Sequence, residues 1–365
     1  MSAITLAGEL VHYEVLGRGR PIVLVHGWIG SWRYWIPTMQ QLQLKYRVYA
    51  LDLFGFGDSG KNPQKYTLDQ QVQLLTNFMR ELGVTKTALV GHGLGALVSA
   101  EFARLYQERV PRLAIISAPL FDTGDLNERS HSGKPMPLTA NSVTPGVAPS
   151  GAVTANSVSS SISVDAPAIN GPLAAEATIM SASTAMRAAL AEAARARSDM
   201  TAKVPDGVAS LSERLDAAGA PAKRNLLQSS IGDAGLEELL GRCFKRSEPE
   251  YAKLKVDVDK TDGAALKYSV MGYDAGRMLD TLRALTMPTV VVHGMDDPVI
   301  PDPGENVWNY LTAEKEDTMM PVLLPGVRHF PMLEHERFFR LLTDFLDIAD
   351  ISKLELKERW TRRTR

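Results

Sequence analysis

A chain of 365 residues is long for one ordinary domain and suits a large core carrying an insertion. Apolar residues make up 45%, enough for a sizeable core, while 22% charged residues and a net charge of −2 leave no excess of positive charge for nucleic acid or an anionic membrane. The single cysteine, Cys243, excludes an internal disulfide framework and fits a reducing compartment.

The opening residues, MSAITLAGELVHYEV, lack the basic segment and following apolar run that export requires. No stretch reaches the roughly 20 apolar residues that span a bilayer. The expectation is a cytoplasmic protein without stable membrane insertion. Short apolar runs then alternate with helical patterns, which predicts a βα-alternating sheet. Strands are expected at Leu10–Leu16, Ile22–His26, Arg47–Leu51, Ala88–Gly91 and Leu113–Ser117. Between the third and fourth, YTLDQQVQLLTNFMRELGV repeats apolar residues at helical spacing. Thr67 and Gln70 form a capping-box pair at its start, and Gly83 sits where a left-handed C-terminal residue belongs.

After Pro119 the composition shifts. From about residue 131 to 170 the chain is mostly Ser, Ala, Thr, Val, Gly and Pro, with Lys134 and Asp165 the only charged residues. Thr139-Ala-Asn-Ser-Val143 recurs as Thr154-Ala-Asn-Ser-Val158, 15 residues on. Two copies make low complexity rather than a solenoid, and a mobile loop or loosely packed surface segment is expected. Helical patterns follow at Ser183–Ser198, Val208–Ala218 and Gly235–Phe244. The sheet resumes at Pro288–Gly294 and Met320–Gly326, and a helix near His335–Ile348 closes the core. The expected organisation is a core at 1–119 and 286–349, a cap or lid at 120–285 and a basic tail at 350–365. That tail, ending KERWTRRTR, reads as a frayed terminus with a weak anionic-surface contact as the alternative.

Four short words carry the chemistry. Val25-His26-Gly27-Trp28-Ile29-Gly30 follows an apolar strand. Leu89-Val90-Gly91-His92-Gly93-Leu94-Gly95-Ala96 joins a strand to a helix. Gly294-Met-Asp-Asp297-Pro-Val-Ile-Pro301 and Pro325-Gly-Val-Arg-His329-Phe-Pro-Met-Leu-Glu334 each follow a late strand. In this order they resemble the α/β-hydrolase superfamily, as does the loop Asp52-Leu-Phe-Gly-Phe-Gly-Asp-Ser59. The resemblance covers roughly residues 10–118 and 286–348 and implies a doubly wound, mostly parallel sheet with an inserted helical cap and a low-complexity segment. It makes Asp297 the orienting acid, with Asp296 as rival, and His329 the base. It makes the backbone N–H groups of Trp28 and Leu94 the oxyanion donors.

The nucleophile position departs from the pattern. Gly-x-Ser-x-Gly reads here Gly91-His92-Gly93-Leu94-Gly95, so the nucleophile position is vacant and no acyl- or alkyl-enzyme forms there. Loss of a triad nucleophile costs on the order of 10⁶ in kcat. A water activated by His329 supplies roughly 10²–10⁴. Glycine also relieves about 1–3 kcal/mol of backbone strain that a side chain bears at such a corner.

Gly91-x-Gly93-x-x-Ala96 fits a dinucleotide fingerprint too, yet the next strand ends Ile115-Ile116-Ser117 without the acid that fingerprint needs. His26 and His92 read as loop-packing residues, His335 as solvated, and Cys243 as unreactive unless Arg242 and Lys245 lower its pKa. Trp28, Trp32, Tyr34 and Trp35 either line an apolar pocket or pack core against cap. No cofactor and no metal are expected. Two functions follow: a degenerate hydrolase that keeps a pocket for a small apolar or ester-like ligand or binds a protein partner, and a working hydrolase of esters or lactones that uses activated water. Either pocket is expected at the carboxyl ends of the strands.

Overall fold

Runs of Val, Ile and Leu without polar alternation belong to strands covered on both faces, the signature of a parallel sheet packed between helices. The computed structural model, which describes residues 2–131, 225–334 and 336–354, places these runs at the centre of an eight-stranded sheet. The strands are β1 Ser2–Leu6, β2 Glu9–Leu16, β3 Arg20–Val25, β4 Tyr46–Leu51, β5 Ala88–His92, β6 Leu113–Ile116, β7 Thr289–Gly294 and β8 Met319–Leu324. Their order is β1-β2-β4-β3-β5-β6-β7-β8. Only the β1–β2 and β2–β4 pairings are antiparallel. Every residue of β5, β6 and β7 is buried.

Helices α1 (Ile36–Leu42), α2 (Leu68–Glu81), α3 (Leu94–Leu105) and α4 (Leu126–His131) lie in the first part of the chain. The expected cap of α2 forms: the Thr67 hydroxyl accepts from the Gln70 N–H at 3.4 Å, and Gly83 takes a φ of +65°. Between β6 and β7 the described residues give a π-helical turn at Gln228–Gly232 and helices α5 (Leu236–Cys243), α6 (Pro249–Val258), α7 (Gly263–Val270) and α8 (Ala275–Ala284). α8 packs on α3 and α7 on α2. After β7 come α9 (Glu305–Thr312), α10 (Pro331–Glu334) and α11 (Phe338–Asp347). The chain divides into two units, one of Met1–Pro137 with Arg224–Arg365 and one of Leu138–Lys223, and the described residues belong to the first. The expectations for most of 131–170, for Ser183–Ser198 and Val208–Ala218, for His335 and for the end of the tail lie outside the described residues.

Three differences from the expected elements have physical causes. β1 was not expected, because its five residues are half-exposed at the sheet edge and show no apolar run. The closing helix starts at Phe338 rather than near His335, since the chain first makes the separate turn of α10. Helices α6 to α8 were not expected individually. α6 mixes a buried Asp257 with an exposed Val256, and α7 carries a glycine and serine in eight residues, so neither shows a strong periodic stripe.

The helices after β6 are tied to the β4–α2 loop by charge. Arg33 donates to Asp257 at 2.7 Å and to Asp58 at 2.8 Å, and Lys260 reaches Asp58 at 2.7 Å. Tyr66 donates to Asp262 at 2.7 Å, whose own N–H bonds the Gly55 carbonyl. Asp257 is buried, so its guanidinium partner offsets a desolvation cost that an exposed pair never bears.

Candidate active site

β5 ends at His92, and α3 begins at Leu94, so the chain must turn sharply at one residue. Gly93 makes that turn at φ 52°, ψ −110°, a left-handed conformation that disfavours any side chain. Its N–H donates to the Ile116 carbonyl at 3.0 Å and its carbonyl accepts from Ala96 at 3.1 Å. The flanking glycines bring α3 onto the sheet: a methyl at Gly91 would run into the Gly95 carbonyl, and one at Gly95 into the Val25 carbonyl. These glycines are therefore needed for helix–strand approach.

The space beside Gly93 is occupied. A Cβ built there would lie 3.2 and 3.3 Å from Cε3 and Cζ3 of the Trp28 indole and 3.4 Å from the Gly27 Cα. Trp28 is wholly buried, and its Nε1–H donates to the Ser269 hydroxyl on α7 at 3.0 Å. That hydroxyl donates in turn to the Leu266 carbonyl at 3.0 Å. Ser269→Ala strands the indole N–H in an apolar interior, at a cost of about 1–3 kcal/mol of stability. Urea unfolding checks this, and an unchanged midpoint with unchanged slope would remove the pin.

Asp297 and His329 stand in the loops after β7 and β8. The His329 Nδ1–H donates to Asp297 Oδ2 at 2.8 Å, and Asp297 Oδ1 accepts from the N–H groups of Val299 and Ile300 at 2.8 and 2.9 Å. Burial pushes the Asp297 carboxyl up, but the His329 charge and hydrogen bond, with the two N–H groups, outweigh it and hold it below the usual range. Asp296 is exposed, and Asp297 is the aspartate that meets His329. His329 is fully buried and its Nε2 has no partner.

His92 and His26 hold loops. The His92 Nε2–H donates to the His329 carbonyl at 2.8 Å, so its Nδ1 accepts from the Tyr34 hydroxyl at 2.9 Å, and Tyr34 accepts the Gly27 N–H at 2.6 Å. The His26 Nε2 accepts the Leu53 N–H at 2.9 Å, leaving Nδ1 to donate to the Gly27 carbonyl at 2.8 Å. Burial, the largest cause, pushes both imidazoles below the usual histidine range, and well below for His92, where the His329 charge adds to it. Trp28 lies against Gly93 from the turn after β3 and Leu94 follows it as the first residue of α3, and among the described residues neither backbone N–H has a partner.

Other expectations resolve by burial. Trp28, Tyr34 and Trp35 pack inside the core, and Trp32 lies partly buried against it. Cys243 is buried, and desolvation, helped by the Asp297 and Glu334 charges, pushes its thiol well up; the Arg328 and Arg242 charges do not prevail, and Lys245 is not among the charges acting on it. His12, Asp52 and Asp58 bring donor atoms within 4.8 Å of one another. Asp52 is already committed to the N–H groups of Trp32 and Asp58 and to the His12 Nδ1, while Asp58 pairs with Arg33 and Lys260. A cavity of about 140 Å³ opens instead between α2, α3 and α8, with Leu97, Glu101, Ser269, Tyr273, Arg277 and Met278 in its walls. Its walls include neither Gly93 nor His329. Sequence reading gave Ser269 no role, named Tyr34 only as pocket wall or packing, and held Glu334 only as the last residue of the His329 word.

The comparisons agree with this architecture. A family model described as α/β hydrolase fold matches residues 20–136. Human epoxide hydrolase 4 is 34% identical over 117 residues, 31% of this chain and 32% of its own length. Bifunctional epoxide hydrolase 2 of Sus scrofa is 32% identical over 118 residues, 31% of this chain and 21% of its own. The match thus spans a third or less of these curated relatives. A hydrolase from Pseudomonas aeruginosa superposes with a TM-score of 0.56 at 16% identity, covering 95% of this chain and 98% of its own. A thermophilic esterase from Thermogutta terrifontis gives 0.55 at 20% identity, covering 94% and 97%. With an eight-stranded sheet in this order and a glycine-lined corner between β5 and α3, the chain has the α/β-hydrolase fold.

Proposed function

We propose that this protein is a hydrolase-fold protein without covalent serine-type hydrolysis, in which His329 and Asp297 remain as base and acid around a vacated nucleophile position. The observation that carries this reading is the Trp28 ring lying against Gly93, where a reactive side chain would project. The relatives named epoxide hydrolase and the structures named hydrolase and esterase support a hydrolytic ancestry for the site. Its selected role is binding of a small apolar or ester-like ligand, or of a protein partner, by a corner that resembles an active site. The chain between β6 and β7 is read as the cap of this site, and the protein as cytoplasmic; among the described residues no helix is long and apolar enough to cross a membrane.

One observation favours the second reading, hydrolysis by activated water. The orphaned His329 Nε2 costs stability that a purely structural dyad has no reason to bear. With the backbone N–H groups of Trp28 and Leu94 as oxyanion donors, such a base acts on a water held beside the corner. Turnover of p-nitrophenyl acetate by the native protein and by His329→Ala separates the two. Equal, background-level rates in both support the silent reading. A native rate roughly 10² or more above the variant establishes the water mechanism and overturns it.

A further inference from the structure

The loop that carries His329 is fastened by one carboxylate. Glu334, on α10, accepts the Phe330 N–H through Oε1 at 3.0 Å and the Arg328 N–H through Oε2 at 3.2 Å, so it holds the backbone on both sides of His329. The same Oε2 accepts from the Arg328 Nε at 2.8 Å. Arg328 then reaches outward, with Nη2 and Nη1 at 2.8 and 3.2 Å from the Glu248 carboxylate that precedes α6. Its guanidinium lies 4.7 Å from the centre of the Phe244 ring, which stands 5.5 Å from Phe330. Glu334 therefore does two different things: it closes the turn locally, and it aims Arg328 at the helices between β6 and β7.

From this geometry we infer that Glu334 is the positioning residue of the base, fixing the His329 backbone so that Nδ1 meets Asp297, while Glu248 only anchors Arg328 from outside. The assignment rests on the reading of His329 and Asp297 as base and acid. The physical reason is directional. A buried imidazole is aimed by the rotamer its backbone permits, and two N–H bonds to one carboxylate remove the freedom of the residues on either side. Glu248 touches no backbone group of the loop, and its contribution ends at the guanidinium.

The test needs no turnover. The His329 imidazole proton hydrogen-bonded to Asp297 is followed by NMR in the full-length protein, through its resonance position and its rate of solvent exchange. Glu334→Ala is expected to displace that resonance and speed its exchange roughly 10-fold or more, the size of one lost charge-assisted hydrogen bond. Glu334→Gln, which keeps one acceptor oxygen for Phe330, restores part of the protection. Glu248→Ala leaves the resonance and its exchange as in the native protein. Thermal melts of all three variants separate a folding loss from a positioning loss. A native-like signal in Glu334→Ala overturns the inference. So does an equal disturbance in Glu248→Ala at matched loss of stability, because the effect would then be structural. Ester turnover plays no part here, so failure of the silent-hydrolase reading and failure of this assignment appear in different experiments.

Discussion

Gly93→Ser raises p-nitrophenyl acetate turnover over the native protein by roughly 10²–10⁴, well short of the 10⁶ that a triad nucleophile contributes. The shortfall comes from Trp28. A serine Cβ at the corner meets the indole at 3.2 Å, closer than packed carbons normally approach, and the ring is both wholly buried and pinned to Ser269. Either the ring gives by a few tenths of an ångström or the hydroxyl is aimed away from His329. A misplacement of about 1 Å at a reacting centre costs on the order of 10². The new residue also bears about 1–3 kcal/mol of strain at φ 52°.

Adding Trp28→Leu to Gly93→Ser is therefore expected to raise turnover a further 10-fold or more, although it opens a cavity and costs about 2–4 kcal/mol of stability. The backbone N–H at residue 28 survives that change, so the proposed oxyanion donor is retained. His329→Ala in the double variant should return turnover to background. Steady-state rates in the three backgrounds check the sequence of effects. If the double variant is no faster than the native protein, the imidazole is not a competent base for this corner, and the reading of His329 and Asp297 as a retained dyad fails.

The parts of this arrangement legible in sequence are those that local chemistry dictates. Buried parallel strands write themselves as apolar runs, so β3 to β8 were expected to within two residues of their observed ends. Sharp turns write themselves as glycine, so Gly93 was placed at the corner before its φ was known. Asp297 and His329 were paired through their words and meet at 2.8 Å. What stayed hidden depends on side chains brought together from far apart. Trp28 reads equally as pocket wall or packing, because its partner Ser269 lies 241 residues away. Nothing in the Tyr34 neighbourhood announces that its hydroxyl links the Gly27 turn to His92, 58 residues on.

Those buried histidines make stability fall as pH drops below 6.5, by up to about 4 kcal/mol per pH unit. The sign follows from which state takes the proton. His26, His92 and His293 are buried, and desolvation pushes each folded-state pKa below the ordinary 6.5. As pH falls through 6.5 the unfolded chain takes up protons at these three ahead of the folded chain, and each contributes up to about 1.4 kcal/mol per pH unit in favour of unfolding. Their stabilising contribution is thus present above 6.5 and lost as pH falls. His12 runs the other way. Its hydrogen bond to Asp52 raises it, so its contribution is complete below 6.5 and disappears only as pH rises through the folded value. It adds no opposing slope between pH 6 and 5. A second decline is expected below pH 4.5, where the unfolded chain protonates the Glu248 and Asp297 carboxyls while the folded chain still resists, Glu248 being held down to about 2 mainly by Arg328.

Urea unfolding at pH 7.5, 6 and 5 measures the slope. His92→Gln is the sharper test, because an amide can still donate to the His329 carbonyl and accept from Tyr34 without titrating. That variant should lose roughly 1.4 kcal/mol per pH unit of the acid sensitivity. Protonating His92 converts its Nδ1 from acceptor to donor against a hydroxyl that already serves the Gly27 N–H, so acid unfastens the turn beside Trp28 first. A stability profile flat from pH 7.5 to 5 would mean the histidines are charged or solvated in the folded protein. The buried, neutral relay around Gly93 would then be wrong.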